Sequence, residues 1–358
     1  MPSPTKEQII DALRGVNDPE LHKDLVTLGM VRNVAVCDGH VRVEIELTTP
    51  ACPMKGPIRN DVEAAIMALG GVDAVDVEFS AKVRKSHSET PSPLPGVKQV
   101  IAVGAGKGGV GKSTVAVLAA VGLARSGAKV GLLDADIYGP SIPKMMGVEE
   151  AKPAMSGDEN RILPIEAHGV RTISMGFLIP PGQAVVWRGP MVHNTVKQLL
   201  EQVEWGELDY LIVDLPPGTG DVPLTLSQTI PVTGAVIVCT PQAVALADAV
   251  RAAMMYRRLN IEVLGIIENM SYFIAPDTGK EYDLFGKGGA VAAADELGVP
   301  CLGSIPINAA VRICGDQGTP ADVFTNGQHG LGDAVMGTVE RLAGQISVRS
   351  AQRPASSR

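Results

Sequence analysis

The sequence predicts an α/β protein: a doubly wound, mostly parallel sheet preceded by a small αββαβ domain. Three observations carry this. From Val97 to about Gln345 apolar strand-like runs alternate with helical patterns, as in a sheet covered by helices on both faces. Residues 1–85 instead show one hairpin and two amphipathic helices, separated from the rest by a proline-rich stretch. Between the apolar run Val100–Val103 and the helical run Val115–Ala120 lies Gly106-Lys107-Gly108-Gly109-Val110-Gly111-Lys112-Ser113-Thr114. That order is strand, glycine loop, helix.

Taken in chain order, Thr5 and Gln8 form a capping box ahead of Ile9, Ile10 and Leu13, which share one helical face. Met30–Cys37 and His40–Thr49 flank Asp38-Gly39, a strong hairpin signal. Val41, Val43, Ile45 and Leu47 alternate with Arg42, Glu44 and Glu46, so one face of that strand is buried. Ile58, Val62, Ile66 and Leu69 mark a helix and Val72–Val83 a last strand, closing a domain over 1–85. Residues 86–96, rich in proline and serine, read as a semi-extended linker that packs no core. The second domain, 97–345, has strands expected at Gln99–Val103, Lys129–Leu133, Val170–Ser174, Tyr210–Val213, Ala235–Cys239, Val263–Ile267 and Leu302–Ile305. Several are continuous apolar runs, as parallel strands buried on both faces require. Residues 346–358 are short and polar and are expected to be a disordered tail.

The glycine loop has the G-x-x-x-x-G-K-[ST] spacing of a P-loop. Backbone N–H groups of Gly106 to Thr114 turn toward phosphate oxygens, and the helix that follows aims its N-terminus at the same charge. Lys112 reaches the β/γ phosphates and the Ser113 hydroxyl ligates Mg²⁺. Gly104, Gly106 and Gly109 also spell the dinucleotide pattern G-x-G-x-x-G, with Asp134 as the ribose acid. That alternative leaves Lys112-Ser113-Thr114 and the later Asp214–Asp221 run without a role. Asp134-Ala135-Asp136 ends the strand after the P-loop helix. One acid can hold a water of the Mg²⁺ shell and the other can orient the attacking water, whereas a helix cap for the Ser141 turn explains one acid only. Asp214 ends an apolar strand in the Walker-B manner for Mg²⁺, and Pro216–Asp221 supplies backbone donors near the γ-phosphate, a switch between ATP and ADP. Lys107 is a second lysine inside the loop, suited to neutralising phosphate charge in its own site or across a dimer interface.

The chain of 358 residues has 45% hydrophobic and 20% charged residues and a net charge of −8. This balance argues against a nucleic-acid surface and against attraction to anionic lipid. No apolar run reaches the roughly 18 residues of a membrane span, and the first residues lack the basic and apolar regions of a signal peptide. The five cysteines are odd in number and irregular in spacing, so no disulfide framework is expected and a reducing cytoplasm is the simplest location.

The lysine-bearing P-loop, Asp134-Ala135-Asp136-Ile137-Tyr138-Gly139-Pro140-Ser141, Trp187-Arg188-Gly189-Pro190-Met191, Pro216–Asp221 and Glu268-Asn269-Met270 together resemble the Mrp-type iron–sulfur cluster carrier ATPases of the MinD/ParA-like deviant P-loop class. Residues 1–85, with Leu47-Thr48-Thr49-Pro50-Ala51-Cys52-Pro53, are similar to the small iron–sulfur assembly domain that this family often carries. The resemblance implies a slow, Mg²⁺-dependent ATPase that forms a homodimer, binds an iron–sulfur cluster and passes it to apoproteins. It implies that Lys107 crosses to the partner's nucleotide and that Asn269 lies near the adenine. Lys107, Lys112 and Asp136 are then the catalytic candidates, Asp136 placing the water, while Ser113, Asp134 and Asp214 serve the Mg²⁺.

One feature departs from the family pattern. Its cluster-binding members carry Cys-x-x-Cys shortly after the Glu-Asn-Met segment, and this chain has Ala275 and Thr278 there, neither a thiolate. Cys52 is the remaining ligand candidate, an expected exposed thiol in the loop before a helix. Cys37, Cys239, Cys301 and Cys314 read as structural. The six histidines show no metal-ligand spacing. Two alternatives follow: a cluster-free, nucleotide-gated scaffold for assembly proteins, or a membrane- or DNA-positioning ATPase. The tail Ser347–Pro354 lacks the amphipathic helix that the membrane version needs.

Overall fold

The computed structural model describes residues 3–86, 92–137, 139–157, 161–178, 189–218 and 220–352. The chain divides into two units. The first holds residues up to Arg84 and, among the described residues, Ala343–Gln352; the second holds Lys85–Leu342.

Thr5 starts the first unit as its capping box predicts, its hydroxyl accepting from the Gln8 N–H while the Gln8 side chain accepts from the Thr5 N–H. Helix α1 (Lys6–Leu13) leads to a short antiparallel pair, β1 (Asn17–Asp18) and β2 (Lys23–Asp24). The hairpin follows as β3 (Val31–Cys37) and β4 (His40–Leu47), then α2 (Lys55–Met67) and β5 (Ala74–Ala81). β3 and β4 pair antiparallel, and α2 makes the crossover that lets β5 lie parallel to β4. Val41, Val43, Ile45 and Leu47 face inward against Ile9, Leu13, Ile58, Val62 and Ile66, all buried. Leu69 lies beyond the end of α2 and is exposed, so the helix ends two residues before its pattern does.

The second unit begins with β6 (Val97–Gly104), α3 (Lys112–Arg125), β7 (Val130–Asp134), α4 (Ile142–Met145), β8 (Ile165–Ala167), β9 (Val170–Ser174) and α5 (Gly189–Glu201). It continues with β10 (Leu208–Asp214), α6 (Asp221–Thr229), β11 (Gly234–Cys239), α7 (Ala243–Arg258) and β12 (Val263–Ile274). β13 (Glu281–Tyr282), α8 (Gly289–Leu297), β14 (Cys301–Ile307), α9 (Ala309–Gln317) and α10 (Leu331–Gln352) complete the elements. Among the described residues the sheet has nine strands in the order β14-β12-β11-β6-β10-β7-β9-β8, with β13 beside the end of β12. Only the pairings of β8 and β13 are antiparallel. Every expected strand is present, and the central ones are buried along almost their whole length because helices cover both faces.

Two boundaries differ from expectation. The end of the expected linker packs after all: Leu94 is buried in the core of the second unit, and the Lys85 ammonium donates to the Pro95 carbonyl at 2.8 Å. Residues 346–352 of the expected disordered tail are helical, because α10 runs through Gln352 with Ile346 and Ser347 buried; the rest of that tail lies outside the described residues. Val339, Leu342, Ala343 and Ile346 continue one apolar helical face, which holds the polar remainder in the helix.

Candidate nucleotide site

β6 lies between β10 and β11, so the chain leaves it at the point where strand order reverses and a crevice opens at the carboxyl ends. The glycine loop starts there. Gly109 and Gly111 take φ values of +83° and +79°, conformations that a side chain at Cβ disfavours, and Gly111 is the N-cap of α3. The first N–H groups of α3 therefore have no helical partner and face the crevice. Two further segments hold the loop in place. The Gly218 N–H donates to the Ala105 carbonyl at 2.8 Å, and the Asn269 side-chain amide donates to the Val110 carbonyl at 2.9 Å.

Lys112 is buried, and its ammonium lies 2.6 Å from Asp214 Oδ1, 3.4 Å from Asp136 Oδ2 and 3.2 Å from the Ser113 hydroxyl. Asp214, Asp134 and Ser174 end three adjacent parallel strands in register, forming one row across the sheet. Asp134 accepts three hydrogen bonds: from the Asp136 N–H at 3.1 Å, the Ser174 hydroxyl at 2.8 Å and the Ile142 N–H at 3.3 Å. The last of these caps α4. The helix-cap reading thus applies to Asp134 and not to Asp136.

The electrostatics follow from burial. Desolvation, reinforced by the neighbouring Asp214, pushes the Asp134 carboxyl up to about 7, against the opposing pull of Ser174, the Asp136 N–H and Lys112. Burial also raises Asp214, with the Lys112 charge pulling it back down. Asp136 Oδ1 and Asp214 Oδ2 are buried without a hydrogen-bond partner among the described residues. A buried, unsatisfied acceptor costs about 1–3 kcal/mol, so two of them beside a P-loop fit a bound cation and its water. Carboxylate and hydroxyl oxygens suit Mg²⁺, which takes its other ligands from phosphate and water. The site therefore does not need a dedicated cage, and among the described residues no group of three or more His, Cys, Asp or Glu forms one.

Sequence reasoning named Lys112, Ser113, Asp136 and Asp214, and these meet in one cluster. It missed Ser174, although Ser174 shares with both aspartates the one available signal, a polar residue at the carboxyl end of an apolar strand. Lys107 is half-buried and makes no hydrogen bond or ion pair among the described residues. Tyr138, Trp187, Arg188 and Thr219 lie outside the described residues.

The thiols are less accommodating. Cys52, expected to be exposed, is buried in the first unit's core. Cys37, read as structural, is exposed at the hairpin end. Burial pushes the Cys239 thiol up to about 12 and raises Cys301 as well. Ala275 and Thr278 occupy the turn between β12 and β13, which closes through an Ala275 N–H bond to Lys280 O at 3.0 Å. Among the described residues no helix is long and apolar enough to cross a membrane.

Comparison with known proteins agrees with this geometry. The NUBPL iron-transfer P-loop NTPase model, of the ParA class, matches residues 96–343. A second model, iron-sulfur cluster assembly protein, matches residues 6–79. The iron-sulfur cluster carrier protein of Deinococcus radiodurans is 53% identical over 344 residues, covering 96% of each chain. The Escherichia coli K12 protein of the same name is 39% identical over 360 residues, covering 98% of this chain and 97% of that one. Among solved structures, a nucleotide-binding protein from Archaeoglobus fulgidus in complex with ADP is 41% identical, with a TM-score of 0.56, over 64% of this chain and 89% of its own. The cell division ATPase MinD of Pyrococcus furiosus shares the fold, at 22% identity and a TM-score of 0.51, over 68% of this chain and 97% of its own. The P-loop lysine paired to a strand-end aspartate, in a chain matched from residue 96 to residue 343, places this protein in the NUBPL iron-transfer family of ParA-class P-loop NTPases.

Proposed function

We propose that this protein is an ATP-hydrolysing carrier that takes up iron–sulfur clusters and delivers them to apoproteins, working in the cytoplasm as a homodimeric nucleotide switch. The observation that carries the reading is the buried Lys112–Asp214–Asp136 group with two unclaimed carboxylate oxygens, in a chain matched along 96% of its length by a named cluster carrier.

ATP enters with its phosphates against the loop from Gly106 to Thr114. Lys112 then exchanges carboxylates for the β/γ phosphate oxygens. Ser113, Asp134 and Asp214 would hold a Mg²⁺ ion, which would neutralise charge on the phosphates. Asp136 accepts a hydrogen bond from the attacking water and points its lone pair at the γ-phosphorus. The bond to the β–γ bridging oxygen breaks, and ADP and inorganic phosphate leave. Lys107, which makes no hydrogen bond or ion pair among the described residues, reaches the nucleotide of the second protomer, and Asn269, braced on Val110, contacts the base. The Gly218-to-Ala105 bond ties the switch segment to the loop, so loss of the γ-phosphate reaches both.

The cluster is cargo, and Cys52 is the candidate ligand; its burial means that the loop must open to expose it. The test is anaerobic reconstitution with iron and sulfide, reading iron content and visible absorbance of wild type and Cys52→Ala, then transfer to an apoprotein. Loss of the signal in the variant assigns the cluster to the first unit. Wild type that retains no iron, with or without ATP, removes the carrier role. Ala275 and Thr278 favour a second reading, a nucleotide-gated scaffold that holds no cluster. A pull-down of assembly proteins that depends on residues 1–85, without bound iron, would favour it.

A further inference from the structure

Asp134 holds more of the site together than its position as an acid near a metal requires. Its two oxygens accept from three donors on three different segments: the Asp136 N–H, the Ile142 N–H of α4 and the Ser174 hydroxyl of β9. The Ser174 bond is the shortest of the three, at 2.8 Å. Its direction is fixed by a further contact, since the Gly176 N–H donates to Ser174 Oγ at 2.9 Å. A hydroxyl has one proton, and here the oxygen already receives one hydrogen bond, so the proton points at Asp134. Both side chains are fully buried, so water cannot replace either bond. The turn that carries Gly176 also packs closely on the loop after Asp136: a Cβ on Gly176 would lie 3.1 Å from the Pro140 Cβ.

We propose that Ser174 is a positioning residue for ATP hydrolysis. Its hydroxyl sets the orientation of Asp134, and Asp134 through its Asp136 N–H bond sets the carboxylate that aims the water. Without the hydroxyl, Asp134 Oδ2 keeps only the 3.3 Å bond from Ile142, and the loop between Asp134 and Ser141 loses its tie to β9. The Ser174 hydroxyl bonds to Asp134 and the Gly176 N–H and to no residue of the glycine loop among the described residues, so its removal alters the placement of Asp136 and leaves the phosphate cradle intact. The inference rests on the nucleotide reading of this site and deepens it.

The test uses the full chain with Ser174→Ala and Ser174→Thr, the second retaining the hydroxyl. Steady-state ATPase assays give kcat and KM, and metal-free ADP affinity comes from calorimetry. Binding of Mn²⁺ in the presence of ADP, read by electron paramagnetic resonance, reports the metal shell without turnover. The expected result for Ser174→Ala is a kcat lower by about 10- to 100-fold, as for other groups that orient a metal's partners. KM for ATP and metal-free ADP affinity stay within about twofold, Mn²⁺ affinity falls, and Ser174→Thr regains most of the rate. An unchanged kcat in Ser174→Ala overturns the proposal. A parallel fall of kcat, ADP affinity and melting temperature does so too, since that is the mark of a packing role. Failure of Ser174→Thr to recover at a wild-type melting temperature counts equally against it. If wild type itself neither binds nor hydrolyses ATP with Mg²⁺, the nucleotide reading fails, an outcome distinct from failure of the Ser174 inference.

Discussion

Lys112 balances two buried carboxylates, and its removal has two separable effects. Lys112→Ala is expected to abolish measurable ATP hydrolysis. It should also destabilise the nucleotide-free chain near pH 7 by about 3 kcal/mol, because a buried pair has lost its cation. Urea unfolding at lower pH should show a smaller loss, since burial favours the protonated form of Asp214 and protonation removes the unbalanced charge. Asp134 gives the complementary sign. Its folded value of about 7 lies above the ordinary carboxylate range, so the protonated folded form is favoured. Its contribution is complete below about pH 4 and is lost as pH rises toward 7. Nucleotide-free wild type should therefore lose on the order of 2–4 kcal/mol more than Asp134→Asn across that window. Equal slopes for the two proteins would show that Asp134 titrates normally. At this scale the sequence was informative where chemistry fixes spacing, as in Gly106–Thr114 and the strand-end acids. Ser174 was not legible, because its partner is set by the register of β9 on β7. Nor was the burial of Cys52, because residue order shows a loop before a helix and not which way the loop tucks.

The P-loop is shaped from outside as much as by its own glycines. A Cβ on Gly106 would overlap the backbone carbonyl of Asp248 on α7, and backbone cannot step aside as a side-chain tip can. Gly106→Ala should force α7 outward, with about 1–3 kcal/mol of destabilisation and weaker ATP binding. Calorimetric melting and nucleotide titration check both, and a variant with wild-type affinity would mean that α7 yields freely. The long elements were readable because apolar runs in central strands are continuous and those in helices recur at helical spacing. The short edge strands β8 and β13 were not readable, since two or three residues leave no period to detect. The end of α10 was a different failure. Its apolar positions Val339, Leu342, Ala343 and Ile346 were in plain view, but serine and arginine in the following residues masked the pattern.

The molecule holds two separately cored units, so heat should reveal two transitions. Saturating ADP with Mg²⁺ should raise the transition of the larger unit alone; at about 100 times Kd the added stability is about 2.7 kcal/mol. Movement of both transitions together would mean that the units unfold as one. The doubly wound ATPase core was legible from residue patterns, whereas the membership of Ala343–Gln352 in the first unit depends on contacts far apart in the chain. The ammonium wedged between Asp214 and Asp136 has a consequence for the order of loading. The nucleotide site carries its own counter-ion. A divalent ion and a triphosphate would each compete with one side of that pairing, the ion for the carboxylates and the triphosphate for the ammonium. The two are therefore expected to load more tightly together than apart, which titrating each with and without the other would show.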